Sequence, residues 1–205
     1  IASIFVKFSQ AAVFTVIAVM VSSGPVKAAC FARGAGSDIT TPLNDFDISN
    51  YWRVPDAIRN NRDLSTCDMS QVTSLMYLFD NKNGYTGDIS GWDVSSVTDF
   101  TVAFRNTDFN GDISSWDVSS AIKFDDIFSG SSFNGDLSNW DVSNVTSFKS
   151  AFYNNTVFNG DISGWDVSSG TDFRQMFMGN PTFDKDIRGW DVGAGANLTY
   201  MFRDA

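Results

Sequence analysis

The spacing of the tryptophans constrains this chain more than any other feature. Trp92, Trp116, Trp140, Trp165 and Trp190 stand 24, 24, 25 and 25 residues apart, and each is followed by an aspartate, Asp93, Asp117, Asp141, Asp166 and Asp191. Cys67-Asp68-Met69-Ser70 holds the same register 25 residues before Trp92, with Cys in the Trp position. Six copies of one unit therefore run through residues 67–205, the first of them atypical. In a repeat of this length no unit can bury its own apolar face, so neighbours must stack to complete a core.

The apolar positions are constant relative to Trp. An aromatic lies seven residues before it (Tyr85, Phe109, Phe133, Phe158, Phe183), Ile or Leu three before, and Val two after. Phe or Leu lies eight after and Phe twelve after, as in Phe100 and Phe104. Val97, Phe100 and Phe104 share one face of a helix, with Ser95 or Ser96 as its N-cap. Residues 89–94 read as a short strand, preceded by an Asn-Gly turn such as Asn110-Gly111. The expected fold is α/β, a leucine-rich-repeat-like solenoid of 24–25-residue repeats, each a turn, a short strand and a short helix. The extra residue of the longer repeats always falls between the second Phe and the next aromatic, which marks a surface loop.

Upstream, Lys7, the apolar run Ala11–Val21, Gly24-Pro25 and the small residues before Cys30 follow the layout of a signal peptide over residues 1–29. An N-terminal membrane anchor is the alternative, although the run is shorter than a bilayer span requires. Residues 30–66 do not match the repeat and read as an N-terminal cap. At the other end no polar cap follows Phe202, so truncation, or a partner over that end, is expected. Export permits disulfides, and Cys30 and Cys67 then read most simply as one bridge, with two buried free thiols as the alternative. Asn144, Asn154 and Asn197 begin glycosylation sequons for a eukaryotic host.

Composition excludes several classes. All 24 acidic residues are Asp, there is no His, and the net charge is −10. Such a chain lacks the basic footprint of a nucleic-acid or anionic-membrane binder. It also lacks the commonest general base and zinc ligand.

The stretch Phe133-Asn134-Gly135-Asp136-Leu137-Ser138-Asn139-Trp140-Asp141-Val142-Ser143-Asn144-Val145-Thr146 resembles the consensus of the BspA-like leucine-rich-repeat surface proteins, also described as mycoplasma-lipoprotein-type repeats of unknown function. The resemblance covers residues 67–205. It implies a secreted or surface-displayed protein used in adhesion or recognition of a protein or glycan, with no catalytic residues to carry over. The chain departs from that pattern at Phe100, Phe124, Phe148 and Phe173, where the family usually has Met. Gly170 and Gly195 replace an apolar residue, which predicts weaker helices in the last two copies.

Two aspartate ladders are the candidate ligand-binding groups. One comprises Asp88, Asp112, Asp136, Asp161 and Asp186; the other comprises Asp68, Asp93, Asp117, Asp141, Asp166 and Asp191. Carboxylates stacked about 5 Å apart repel by roughly 3 kcal/mol at an effective dielectric of 20, so something must offset the charge. The structural reading has each Asp accepting hydrogen bonds from turn N–H groups or from Ser hydroxyls of the next repeat. Calcium is the alternative, though the compact spacing of calcium loops is missing. The Trp column reads as core, with a sugar-stacking platform as its alternative. A polysaccharide hydrolase using ladder Asp residues would need two carboxylates in unlike surroundings, and the repeats supply nearly identical ones. A structural wall or matrix component is a third reading.

Overall fold

The computed structural model describes residues 64–205 except 66 and 71. The expected signal peptide or anchor, nearly all of the expected cap, and Cys30 lie outside the described residues. Cys67 is disulfide-bonded.

Successive copies are joined side by side in one direction. Ser74, Asp99, Lys123, Ser147, Asp172 and Asn197, each seven residues past the Trp position, form a chain of parallel bridges from the first copy to the sixth. Two sets of backbone bonds flank each bridge. Thr98 N–H donates back to the Thr73 carbonyl, and Asn197 N–H to Thr171. In the other direction Phe100, Val102, Phe104 and Asn106 donate forward to the carbonyls of Lys123, Asp125, Ile127 and Ser129. The same alternate-residue pattern recurs from Phe173, Gln175, Phe177 and Gly179 to Asn197, Thr199, Met201 and Arg203.

That pattern replaces the expected secondary structure. Among the described residues there is no α-helix and no strand longer than a single bridge. Each copy is instead a succession of tight turns, with Trp116 N–H bonded to Ile113, Ala121 to Val118 and Ile127 to Phe124. The segment read as a helix places two left-handed residues in every copy, ten and fourteen past the Trp position. They are Tyr77 and Asn81, Val102 and Asn106, Asp126 and Gly130, Ser150 and Asn154, Gln175 and Gly179, and Tyr200 and Asp204. A left-handed residue every fourth position cannot continue a right-handed helix. Position fourteen carries only Asn, Gly or Asp, the types that tolerate this conformation. Its constraint is tight: a Cβ on Gly179 would lie 2.1 Å from Asn154 Oδ1. Position ten includes Val102 at φ 61°, a β-branched residue where the left-handed region is strained.

The core is a bundle of aromatic columns. Phe79, Phe104, Phe128, Phe152, Phe177 and Phe202 form an unbroken stack with centroids 5.1–5.7 Å apart. The ring seven before Trp closes over this stack, with Phe133 4.2 Å from Phe128 and Phe158 4.0 Å from Phe152. The same approach holds in the sixth copy, where Phe183 lies 4.1 Å from Phe177, and in the earlier copies the ring lies over a glycine. A Cβ on Gly111 or Gly135, two residues past the ring, would sit 2.7 or 2.6 Å from it. In the sixth copy Lys185 replaces that glycine, and Phe183 is only partly buried.

Gly170 has a similar local effect. Phe100–Phe124 and Phe124–Phe148 meet edge to face at 83° and 80°, whereas Phe148–Phe173 stack at 12°. The Phe173 ring fills the space that a side chain at Gly170 would need, since a Cβ there would lie 2.3 Å from it.

Candidate functional site

Both aspartate ladders are exposed along their whole length. The ladder carboxylates from Asp68 to Asp186 accept the expected turn N–H groups, and the Ser hydroxyls that join them belong to the same repeat rather than to the next one. In the first ladder Ser90, Ser114 and Ser163 backbone N–H groups donate to Asp88, Asp112 and Asp161 Oδ1 at 2.9–3.0 Å. Ser138 does the same for Asp136, and Arg188 for Asp186. In the second ladder Ser70, Ser95, Ser119, Ser143 and Ser168 serve Asp68, Asp93, Asp117, Asp141 and Asp166. Hydroxyls of Ser95, Ser119 and Ser143 add a second bond to the same oxygen at 2.6 Å. An Asp bonding the N–H two residues on is an Asx turn, local to the sequence and independent of neighbours. Gly193 follows Asp191 at that distance and brings no hydroxyl.

These bonds favour the ionised carboxylates. The Ser114, Ser138 and Ser163 N–H groups, then their hydroxyls, hold Asp112, Asp136 and Asp161 below the ordinary aspartate range. For Asp117 and Asp166 the hydroxyls of Ser119 and Ser168 act most strongly. The ladder repulsion is present but smaller: Asp112 and Asp161 both push Asp136 upward against the Ser bonds. Asp126, half-buried, moves the other way because burial disfavours its charge, only partly offset by Lys149 and Arg105.

A pH dependence follows. A carboxylate whose pKa is lower folded than unfolded stabilises the fold above the ordinary value of about 4, and that contribution is lost as pH falls through the folded pKa. Asp126 has the opposite sign, stabilising at low pH and losing its contribution as pH rises through its raised pKa. With several ladder carboxylates against one Asp126, the thermal midpoint is expected to fall steadily below about pH 4. Combined Ser114→Ala and Ser119→Ala substitution is expected to flatten that fall. An unchanged slope would show that the Ser bonds do not set it.

Among the described residues no group of three or more acidic or Cys side chains is placed to hold a metal ion. The Trp column is core. Trp92, Trp116, Trp140 and Trp165 are 3–4% exposed, and Trp92–Trp116 and Trp116–Trp140 stack at 6.1 and 6.5 Å. Each indole Nε1–H donates to a carbonyl of the preceding copy: Trp92 to Leu64, Trp116 to Ile89, Trp140 to Ile113, Trp165 to Leu137 and Trp190 to Ile162. No ring face is left for a sugar in the first four of these.

Sequence reasoning missed the side chains that tie copies together. Asn110, Asn134 and Asn159 each accept, on Oδ1, the backbone N–H of Asn134, Asn159 and Asp184 in the following copy. Their constant position, six before Trp, was visible, but it was absorbed into a turn. The loop after the second Phe also holds buried polar groups. Short loops use Thr107 or Ser131, whose hydroxyls accept the N–H of Phe109 and Phe133. Loops one residue longer after Phe152 and Phe177 use Asn155 and Asn180, both fully buried. Arg105 reaches back to Asp80 of the first copy in a two-pronged pair at 2.8 and 2.9 Å, with Asp80 7% exposed.

The three sequon asparagines are exposed. Asn144 Nδ2 donates to the Ser119 carbonyl, and Asn197 Oδ1 accepts from Thr199. No helix among the described residues is long and apolar enough to cross a membrane.

No curated protein and no solved structure matches the chain. A family model does, twice, over residues 47–139 and 129–205. These two matches span the same copies that the bridges, the Phe stack and the indole bonds join, and the chain belongs to the family described as Mycoplasma protein of unknown function, DUF285.

Proposed function

We propose that the six copies build a leucine-rich-repeat-like solenoid of the BspA-like kind, secreted or displayed on the cell surface, which recognises a protein or glycan without catalysis. One observation carries this reading: the second to fifth copies turn the same apolar side chains inward and fix the same Asp and Ser pairs outward in the same local geometry. A rigid surface with a repeated pattern suits an extended ligand that meets several copies at once, because weak contacts then add by multivalency. The hydrolase reading gains no support from the ladders. Where their carboxyls shift, they shift downward together, while a glycosidase acid must be held protonated.

The test is a screen of the folded domain against glycan arrays and intact cell surfaces, followed by Asp117→Asn with Asp141→Asn on any hit. Binding that weakens progressively as rungs are removed supports recognition through the repeated face. A folded domain that binds no glycan and no cell surface, or that releases sugar from a polysaccharide, sinks the proposal.

A further inference from the structure

Four Asn-Gly pairs stand among the described residues: Asn83-Gly84, Asn110-Gly111, Asn134-Gly135 and Asn159-Gly160. Neither member of any pair is buried. An Asn followed by Gly is open to attack by the backbone on its own side chain, because no Cβ shields the glycine nitrogen. The reaction needs a nitrogen free to lose its proton and an amide carbonyl able to take up charge. The last three pairs meet both needs. The Gly111, Gly135 and Gly160 N–H groups have no acceptor among the described residues. Asn110 and Asn134 Oδ1 each accept a backbone N–H of the following copy at 2.8 Å, and Asn159 Oδ1 accepts one at 3.2 Å. That N–H points at the oxygen on which charge develops when Cγ is attacked, as the donors of an oxyanion hole do.

Asn83-Gly84 differs in one respect. Asn83 Oδ1 also accepts an N–H, from Asp108 at 3.1 Å, but Gly84 N–H donates to both carboxylate oxygens of Asp108 at 2.8 and 3.0 Å. A nitrogen held against a carboxylate loses its proton less readily, because the resulting anion would face a like charge.

We propose that Asn110, Asn134 and Asn159 are sites of spontaneous deamidation in the folded chain, and that Asp108 protects Asn83 from the same reaction. At each site the glycine nitrogen bonds to Asn Cγ, the Cγ–Nδ2 bond breaks, and the amide leaves as ammonia with the proton of the glycine nitrogen. Water then opens the five-membered imide at one of its two carbonyls, giving aspartate or isoaspartate. Aspartate suits the fold, since Asp184 already holds the same position, six before Trp, in the sixth copy. Isoaspartate lengthens the main chain by one carbon within the copy. Either product adds a negative charge two residues from Asp112, Asp136 or Asp161, so the aged chain presents a denser acidic ladder.

The test incubates the full chain at mildly alkaline pH and physiological temperature. Peptide mass spectrometry reads the replacement of –NH2 by –OH at each Asn, and hydroxylamine cleavage traps the imide. In the folded chain Asn110, Asn134 and Asn159 are expected to react at least about tenfold faster than Asn83. In denaturant, where Asp108 no longer holds Gly84, the four rates are expected to agree within about twofold. Asp108→Ala is expected to raise the folded rate at Asn83 to that of the other three and to leave theirs unchanged. Asn83 reacting as fast as the other three in the folded wild-type chain overturns the proposal, and that comparison needs no variant. So does a slow Asn83 that Asp108→Ala leaves slow, or a folded chain whose Asn110, Asn134 and Asn159 stay intact while the denatured chain reacts.

Discussion

Trp140→Ala is expected to remove about 4 kcal/mol of stability, the usual cost of truncating a buried indole. The denaturation curve should also split into two steps or broaden. Trp140 is 3% exposed and sits between the third copy and the fifth. It stacks on Trp116 at 6.5 Å, lies 5.6 and 6.2 Å from Phe124 and Phe128, and donates to the Ile113 carbonyl at 3.0 Å. Truncation opens a cavity and leaves that carbonyl without its donor. Because a stacked repeat array is held by nearest-neighbour interfaces, damage in the middle also uncouples its two halves. Trp190→Ala supplies the contrast. Trp190, in the sixth copy, is only partly buried, so its loss should be about 2 kcal/mol with a single transition retained. Chemical denaturation followed by fluorescence and circular dichroism measures both. Equal losses at the two positions would show that the indole column does not couple the copies.

The second large effect is at Asn155. Its Oδ1 accepts the N–H groups of Val157 and Phe158, and its Nδ2 donates to the Phe133 carbonyl at 2.9 Å and to Ser131 Oγ at 3.3 Å. The side chain is fully buried, so no water replaces it. Asn155→Ala strands several backbone groups, each costing roughly 1–3 kcal/mol when left unmade in the interior, and a total loss of about 3 kcal/mol is expected. Asn155→Ser alone should not recover this, because the loop from Phe152 to Phe158 is one residue longer than the loop from Phe128 to Phe133 that Ser131 serves. Asn155→Ser combined with deletion of Thr156 recreates the short loop and should restore most of the stability. Failure of that combination, with Asn155→Ala as damaging as stated, would mean that loop length and capping residue are not coupled.

Much of this molecule is written as periodicity. The Trp, Phe and Val columns were legible because a position that faces the same interior in every copy is filled by the same kind of residue. The buried Trp92, Trp116, Trp140 and Trp165 occupy the places their spacing assigns. The ladders were legible too, with their turn N–H donors; only the Ser hydroxyls stand in the same repeat rather than in the next one. An Asx turn spans two residues and needs only its own Ser, which the sequence places beside each Asp from Asp93 to Asp166. No α-helix is formed among the described residues. Val97, Phe100 and Phe104 satisfy a helical face, yet the same spacing arises when the chain turns sharply and sends alternate N–H groups to the next copy. Periodicity records which residues face inward and says nothing about where the backbone hydrogen bonds go. The recurrent Asn, Gly or Asp fourteen residues past the Trp position was the signal that could have separated the two, since it marks a left-handed residue in each copy.

What the sequence determined by itself is therefore the unit, its length, its inward and outward positions, and the local Asx turns, because each rests on residues within one copy. The tertiary structure alone decided the direction of the backbone bonds, the indole donation from one copy to the carbonyl of the one before, and the reach of the buried Asn155 and Asn180 amides to the carbonyls of Phe133 and Phe158. These are contacts between residues more than twenty positions apart. Their partners are fixed only when two copies lie side by side.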